Sequence, residues 1–266
     1  MVPGLPFAFT HVRGVRRNEQ VILAVDPVTP TGRSEGHLVV DQYLEAADQL
    51  PGLVGFAYDR ALRGQHLDRL LKAGHIGLVG TYKKKGRTSN RFHGIETHHP
   101  RSGAPRDIEI QLVGGAPHIR RFDVNGDEHL TPLSRRRINK RVNKQDRQVR
   151  LSAEYEVTDA AGETDGYVRI RLDQTAEDQL TGYNRPEHLR AFPEGDPIFE
   201  PVQKPLRASA ESANRTIDDQ PPRERLHHFG FTKNTLSMLA WQLYRNAQTR
   251  AVFAPTQRLG PTAATG

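Results

Sequence analysis

Two acidic residues stand where an α/β chain can place chemistry. Asp59 closes the apolar run LVGFAYD, at the carboxyl end of an expected strand and just before an expected helix, the edge at which open α/β sheets leave a ligand crevice. An aspartate there also caps the following helix by accepting from its first amides, and the residue alone does not separate the two roles. Asp26 ends QVILAVD in a similar way, but Pro27 and the turn-like TPTG come next, which suits a loop-forming aspartate. Glu211, in RASAESANRTIDD, shares a helical face with Arg207 one turn earlier and Asp218 two turns later. That pattern serves either a carboxylate ligand or ion pairs along a solvated helix.

Positive charge is concentrated in Arg135, Arg136, Arg137, Lys140, Arg141, Lys144, Arg147 and Arg150, with Asp146 as the single acid. Such density repels itself unless counter-charged, so a surface for a phosphate backbone competes with a merely solubilising face. No aromatic residue interrupts the run, which favours backbone contact over stacking on bases. Lys83, Lys84, Lys85, Arg87 and Arg91 form a second cluster. His93, Glu96, His98 and His99 in HGIETHHP suggest a metal, but their order does not match HExxH; His227 and His228 carry no stronger signal.

Other chemistries find no support. There is no GxSxG, no phosphate-binding GxxxxGK[ST] and no GxGxxG after a strand, which weighs against a serine hydrolase, a P-loop NTPase and a dinucleotide enzyme. Zero cysteines exclude disulfides, thiolate zinc and a cysteine nucleophile. The 38 Lys and Arg exceed the 31 Asp and Glu to give a net charge of +7, which favours polyanionic partners. No apolar stretch is long enough for a membrane span.

The elements that must position these residues follow from periodicity. Pro6–Arg13 and Gln20–Val28 read as a hairpin across the polar turn RGVRRNE. Gly36–Leu50 has helical spacing, LVGFAYD is a short buried strand, LRGQHLDRLLKAG a helix with a glycine C-cap, and HIGLVGTY another strand. From Lys83 to about Gln174 the chain turns charge-rich, with alternating runs DIEIQLV, RQVRLSAEYEV and GYVRIRL, which predict a β-rich insertion. Prolines 186, 193, 197, 201 and 205 predict an irregular connection, and Ala208–Asn246 a helical region with Leu236, Leu239, Ala240, Leu243 and Tyr244 as its apolar face.

GLVGFAYDRALRGQHLDRLLKAGHIGLVGTY resembles the segment around the second catalytic aspartate of bacterial insertion-sequence DDE transposases. The C-terminal stretch from NRPEHLRAF through LRASAESANRTIDD to LAWQLYRNAQ is similar to the glutamate region of actinobacterial transposase-like proteins. The resemblance implies a ribonuclease H-like mixed sheet flanked by helices. Two aspartates and a glutamate on it would hold two divalent ions, magnesium or manganese, about 4 Å apart for in-line phosphoryl transfer on DNA. Asp59 then matches the second aspartate, Glu211 the glutamate, and Arg207 the arginine four residues before it. Lys204 and Asp218 depart from the pattern, which often has Tyr and Lys there.

The expected architecture is thus α/β: a discontinuous ribonuclease H-like core over 1–82 and 205–250, a β-rich insertion over 83–204 and a disordered tail over 251–266. Counting LVGFAYD as the fourth strand makes QVILAVDPV the third, so the first aspartate is expected ahead of Met1 and Asp26 is a weak substitute. The chain reads as a truncated or degenerate transposase-like protein. It would be cytoplasmic and nucleoid-associated, with DNA as partner and a homodimer compatible with the family. The alternative is a non-catalytic DNA-binding remnant that uses Arg135, Arg136, Arg137, Lys140, Arg141 and Lys144.

Overall fold

The structure is a computed structural model that describes residues 6–14, 16, 19–29, 34–58, 61–80, 90–123, 125–144, 147–159, 161–218 and 231–253. In chain order the elements are β1 (Phe7–Arg13), β2 (Gln20–Pro27), α1 (Glu35–Gln49), β3 (Gly55–Ala57), α2 (Gly64–Ala73) and β4 (Ile76–Leu78). Seven strands follow: β5 (Asn90–Pro100), β6 (Arg106–Val113), β7 (Ala116–Phe122), β8 (Glu128–Pro132), β9 (Ser134–Val142), β10 (Val149–Thr158) and β11 (Thr164–Arg171). The helices α3 (Ala176–Thr181), α4 (Arg185–His188), α5 (Phe199–Asp218) and α6 (Phe231–Phe253) complete the chain. Together they make a mixed α/β protein whose large sheet is antiparallel.

The chain divides into two compact units, Met1–Leu50 with Lys204–Gly266, and Pro51–Gln203. β3, α2 and β4, expected in the core with the hairpin, therefore fall in the same unit as the insertion. The physical reason is apolar packing: Leu71 of α2 is buried in the cluster formed by Leu151, Ala153 and Ile170 of the large sheet, and Ile76 of β4 packs against it.

In the first unit β1 and β2 pair antiparallel, from Phe7 opposite Pro27 to Arg13 opposite Gln20. Alternation buries Ala8 and Ile22, and α1 adds Val39, Val40 and Tyr43. An unpaired strand edge leaves backbone groups that need partners. At Ile22 of β2 the helix α6 supplies them: Asn246 Oδ1 accepts from Ile22 N at 2.8 Å, and Asn246 Nδ2 and Gln242 Nε2 donate to Ile22 O at 2.9 and 3.1 Å. Thr249 Oγ1 donates to Gln20 O at 2.7 Å. This changes which face of α6 packs. Met238 and Trp241 are buried against Ile22 and Val25, whereas Leu236, Leu239, Leu243 and Tyr244 of the expected apolar face are exposed.

In the second unit β3 and β4 pair parallel, with Gly55 opposite Ile76. α2 ends at Gly74, whose φ of 85° is the left-handed geometry that favours glycine at a helix end. The seven-stranded sheet runs β8-β7-β6-β5-β11-β10-β9. Period-two alternation sends Ile110, Leu151, Tyr155, Val168 and Ile170 to one face, which forms the core. The expected β-rich character of this region holds. The proline-rich connection does not stay irregular throughout, because α5 starts at Phe199 and takes in Pro201 and Pro205. Pro201 lies in the first turn, where its missing N–H costs nothing; Pro205 lies inside the helix. The expected tail is helical to Phe253, and the rest of it lies outside the described residues.

Candidate functional site

Glu211 projects from α5 into solvent. Arg207 Nε donates to Glu211 Oε1 at 2.9 Å across one helical turn, with side-chain exposures of 70% and 64%. The same helix is held to the hairpin by Ser209, whose backbone oxygen accepts from Gln20 Nε2 at 3.0 Å and whose hydroxyl lies 3.2 Å from His11 Nε2. The position of Glu211 on α5 is therefore fixed while its carboxylate is open.

Asp26 is already engaged. Gln42 of α1 donates through Nε2 to Asp26 Oδ2 at 2.8 Å and to Ala8 O at 3.2 Å, and its Oε1 accepts from Thr10 Oγ1 at 2.7 Å. One amide thus ties α1 to both strands of the hairpin, and Asp26 serves that tie. Asp59 lies outside the described residues, as do Lys83, Lys84, Lys85, Arg87, His227 and His228. Among the described residues, no group of three or more His, Asp or Glu side chains could hold a metal ion.

The histidines of HGIETHHP sit on strand β5, where a register shift between Phe92 and Gly94 interrupts the alternation, so that His93 and His98 are both buried and His99 is partly exposed. His93 is buried, with Nδ1 3.0 Å from the Tyr183 hydroxyl; its Nε2 lies 3.0 Å from Arg185 Nη1 and 3.2 Å from Glu96 Oε1. Arg185 also forms a two-point pair with Asp178 at 2.7 and 3.0 Å, which locks α3 and α4 together. Burial would raise the Asp178 carboxyl, but the bonds from Arg185 and Thr175 hold it below its ordinary value. His98 faces the core and is fully buried. Its Nδ1 accepts from Arg106 Nε at 3.2 Å, and its Nε2 lies 3.8 Å from Asp165.

The basic run is the edge strand β9, and its arginines do different things. A register shift between Glu154 and Tyr155 of β10 sends Arg135 toward the core side and the next two outward. Arg135 is 2.7 Å from Asp196, donates to Ala191 O and lies 4.1 Å over the Phe192 ring, with only 12% of its side chain exposed. It is a packing residue. Arg137 instead sits opposite Glu154 and donates to its Oε2 at 3.0 Å. Arg169 of β11 donates to the same oxygen at 3.3 Å, and Arg136 lies 4.0 Å from Oε1. Burial pushes Glu154 up, but the bonds from Arg137 and Arg169 outweigh it and hold the carboxyl below its ordinary value. Lys140 donates to Gly74 O at 3.3 Å, Arg141 lies opposite Arg150, and Lys144 is exposed beyond the strand.

No protein-family model matches this chain, and no curated protein or solved structure matches it.

The described residues therefore bring together a basic face rather than a carboxylate cluster. Three guanidiniums, from Arg136, Arg137 and Arg169, meet one buried carboxylate. Arg169 was outside the expected set, as was Tyr167, which stacks on His99 with ring centroids 5.1 Å apart. The signal was present in GYVRIRL, where Tyr167, Arg169 and Arg171 recur at a period of two and so share one side of a strand.

Proposed function

We propose that this chain is a transposase-like protein that acts on DNA and meets the phosphate backbone through the outward arginines of β9 and β11. The observation that carries this reading is the imbalance at Glu154, where three guanidiniums face a single carboxylate. Further along the same two strands, Arg141 and Arg150 are directly opposite. Clustered guanidiniums suit a phosphate backbone, whose binding releases its condensed counterions.

The catalytic part of the proposal assigns Asp59 and Glu211 as ligands for magnesium or manganese, which would supply Lewis-acid stabilisation of a phosphoryl oxygen. Glu211 is an exposed oxygen donor one turn from Arg207, which suits a hard cation or a phosphate neighbour. The proposed ribonuclease H-like core rests on element order. The β1–β2 hairpin precedes α1 and the parallel β3–β4 pair follows it, with α2 between β3 and β4, the order such a core would have, although the two pairs lie in separate sheets and the large sheet is antiparallel. Among the described residues no helix is long and apolar enough to cross a membrane.

Plasmid nicking by the full chain in magnesium tests the catalytic part. The expected result is nicking that is lost in Asp59→Asn and in Glu211→Gln. Metal-independent inertness alongside intact DNA binding would leave the binding remnant as the function.

A further inference from the structure

The arginine-bearing side of the large sheet also carries a ring platform. Val168 lies opposite His98, and both are fully buried on the core face. The next residues along, Tyr167 opposite His99, therefore face the other way, and their rings stack at 5.1 Å with an interplanar angle of 24°. Both residues are partly exposed. Arg169 lies two residues from Tyr167 on the same side of β11, with its guanidinium 5.9 Å from that ring, and beyond it come Arg137 and Arg136, more than half exposed. Ile95, 66% exposed, and Thr97 continue the same side of β5 before His99. Strands β5 and β11 thus present aromatic surface, and the cationic row runs from β11 across β10 to β9.

We infer that this surface binds single-stranded DNA, with one base stacked on the Tyr167–His99 pair and the neighbouring phosphates on Arg169, Arg137 and Arg136. The inference rests on the DNA-acting reading above and specifies its substrate form. Sheet strands are about 4.8 Å apart, so Tyr167 lies two strand spacings from the β9 arginines and His99 three, within the span of a few nucleotides. A broad sheet face presents nothing to enter a duplex groove, whereas an unpaired base offers its π-face to a flat ring, and that contact is worth a roughly tenfold or larger change in affinity per base.

Fluorescence anisotropy on the full chain decides it, with a labelled oligothymidine of about 15 nucleotides and a duplex of equal length, each over a salt series. Tyr167→Leu keeps a strand-compatible apolar side chain. The expected result is a roughly tenfold or larger loss of oligothymidine affinity, an unchanged salt slope and an unchanged duplex affinity. Arg136→Gln should instead lower the oligothymidine salt slope by about 0.7. Unchanged oligothymidine affinity in Tyr167→Leu overturns the inference, as does an equal loss toward the duplex. If Tyr167→Leu does not fold, His99→Ala decides by the same criteria. Steep duplex binding with oligothymidine affinity unchanged in both ring variants sinks the single-strand site alone; binding to neither form at low salt sinks the DNA reading with it.

Discussion

Arg137 and Glu154 are register partners on β9 and β10, and the guanidinium donates to a fully buried carboxylate oxygen at 3.0 Å. The arginine is more than half exposed, so the pair joins solvent to the sheet interior. Replacing Glu154 by Gln leaves Arg137 and Arg169 without their shared acceptor charge. The expected cost is about 1–3 kcal/mol, read as a lower urea midpoint at unchanged slope. Because the folded carboxyl lies below its ordinary value, its stabilisation is present above the ordinary carboxylate range and is lost as pH falls from that range through the lower folded value; Glu154→Gln should flatten that part of the acid-unfolding curve.

His98 gives a second pH dependence, in a different window. Burial lowers its pKa below the ordinary 6.5, a shift that Asp165 opposes and that Arg106 and His99 reinforce. Below about pH 6.5 the unfolded chain takes up a proton that the folded chain does not, so stability is full above that pH and declines as pH falls toward the folded value. Urea midpoints should fall between about pH 7 and pH 5. In His98→Gln that fall should be smaller. An equal fall in both proteins would remove His98 as its cause.

Arg135 and Arg136 are neighbours in sequence with opposite expected phenotypes. Arg135→Ala strands Asp196, whose side chain is 8% exposed, and should cost about 3 kcal/mol without altering the salt slope of DNA binding. Arg136→Gln should leave stability within about 0.5 kcal/mol and lower the slope. Denaturation and binding measured on the same two variants check both halves.

Asp26→Asn keeps an oxygen acceptor for Gln42 and should change stability by less than about 1 kcal/mol. It should also leave any nicking unchanged, in contrast with Glu211→Gln. Gln42→Leu removes bonds to Asp26, Ala8 and Thr10 together and should cost about 2–3 kcal/mol by thermal or urea unfolding.

Local periodicity made the hairpin, α1, α2, β4 and the alternating runs of β6, β10 and β11 readable in the sequence. What it missed depends on partners far along the chain. β9 has no apolar alternation because it is a charged edge strand, and a one-residue register shift divides Arg135 from Arg136, which no composition reveals. α6 packs through Met238, Trp241, Gln242 and Asn246 because β2 needs partners at its free edge, a demand stronger than the leucine spacing. Asp26, expected to form a loop because Pro27 follows it, instead lies within β2 opposite Ala8, and its partner Gln42 comes from a helix sixteen residues on. Tyr167 lies outside the basic run in sequence and meets it only across β10.

The salt dependence of duplex DNA affinity, compared between the wild-type chain and the Arg136→Gln/Arg141→Gln double variant, tests the DNA-contacting face most directly. The expected result is a steep decline of affinity with salt in the wild type and a log–log slope shallower by about 2 in the double variant. Absence of binding to both duplex and oligothymidine at low salt, or an identical slope in both proteins, would contradict the assignment of that face to DNA.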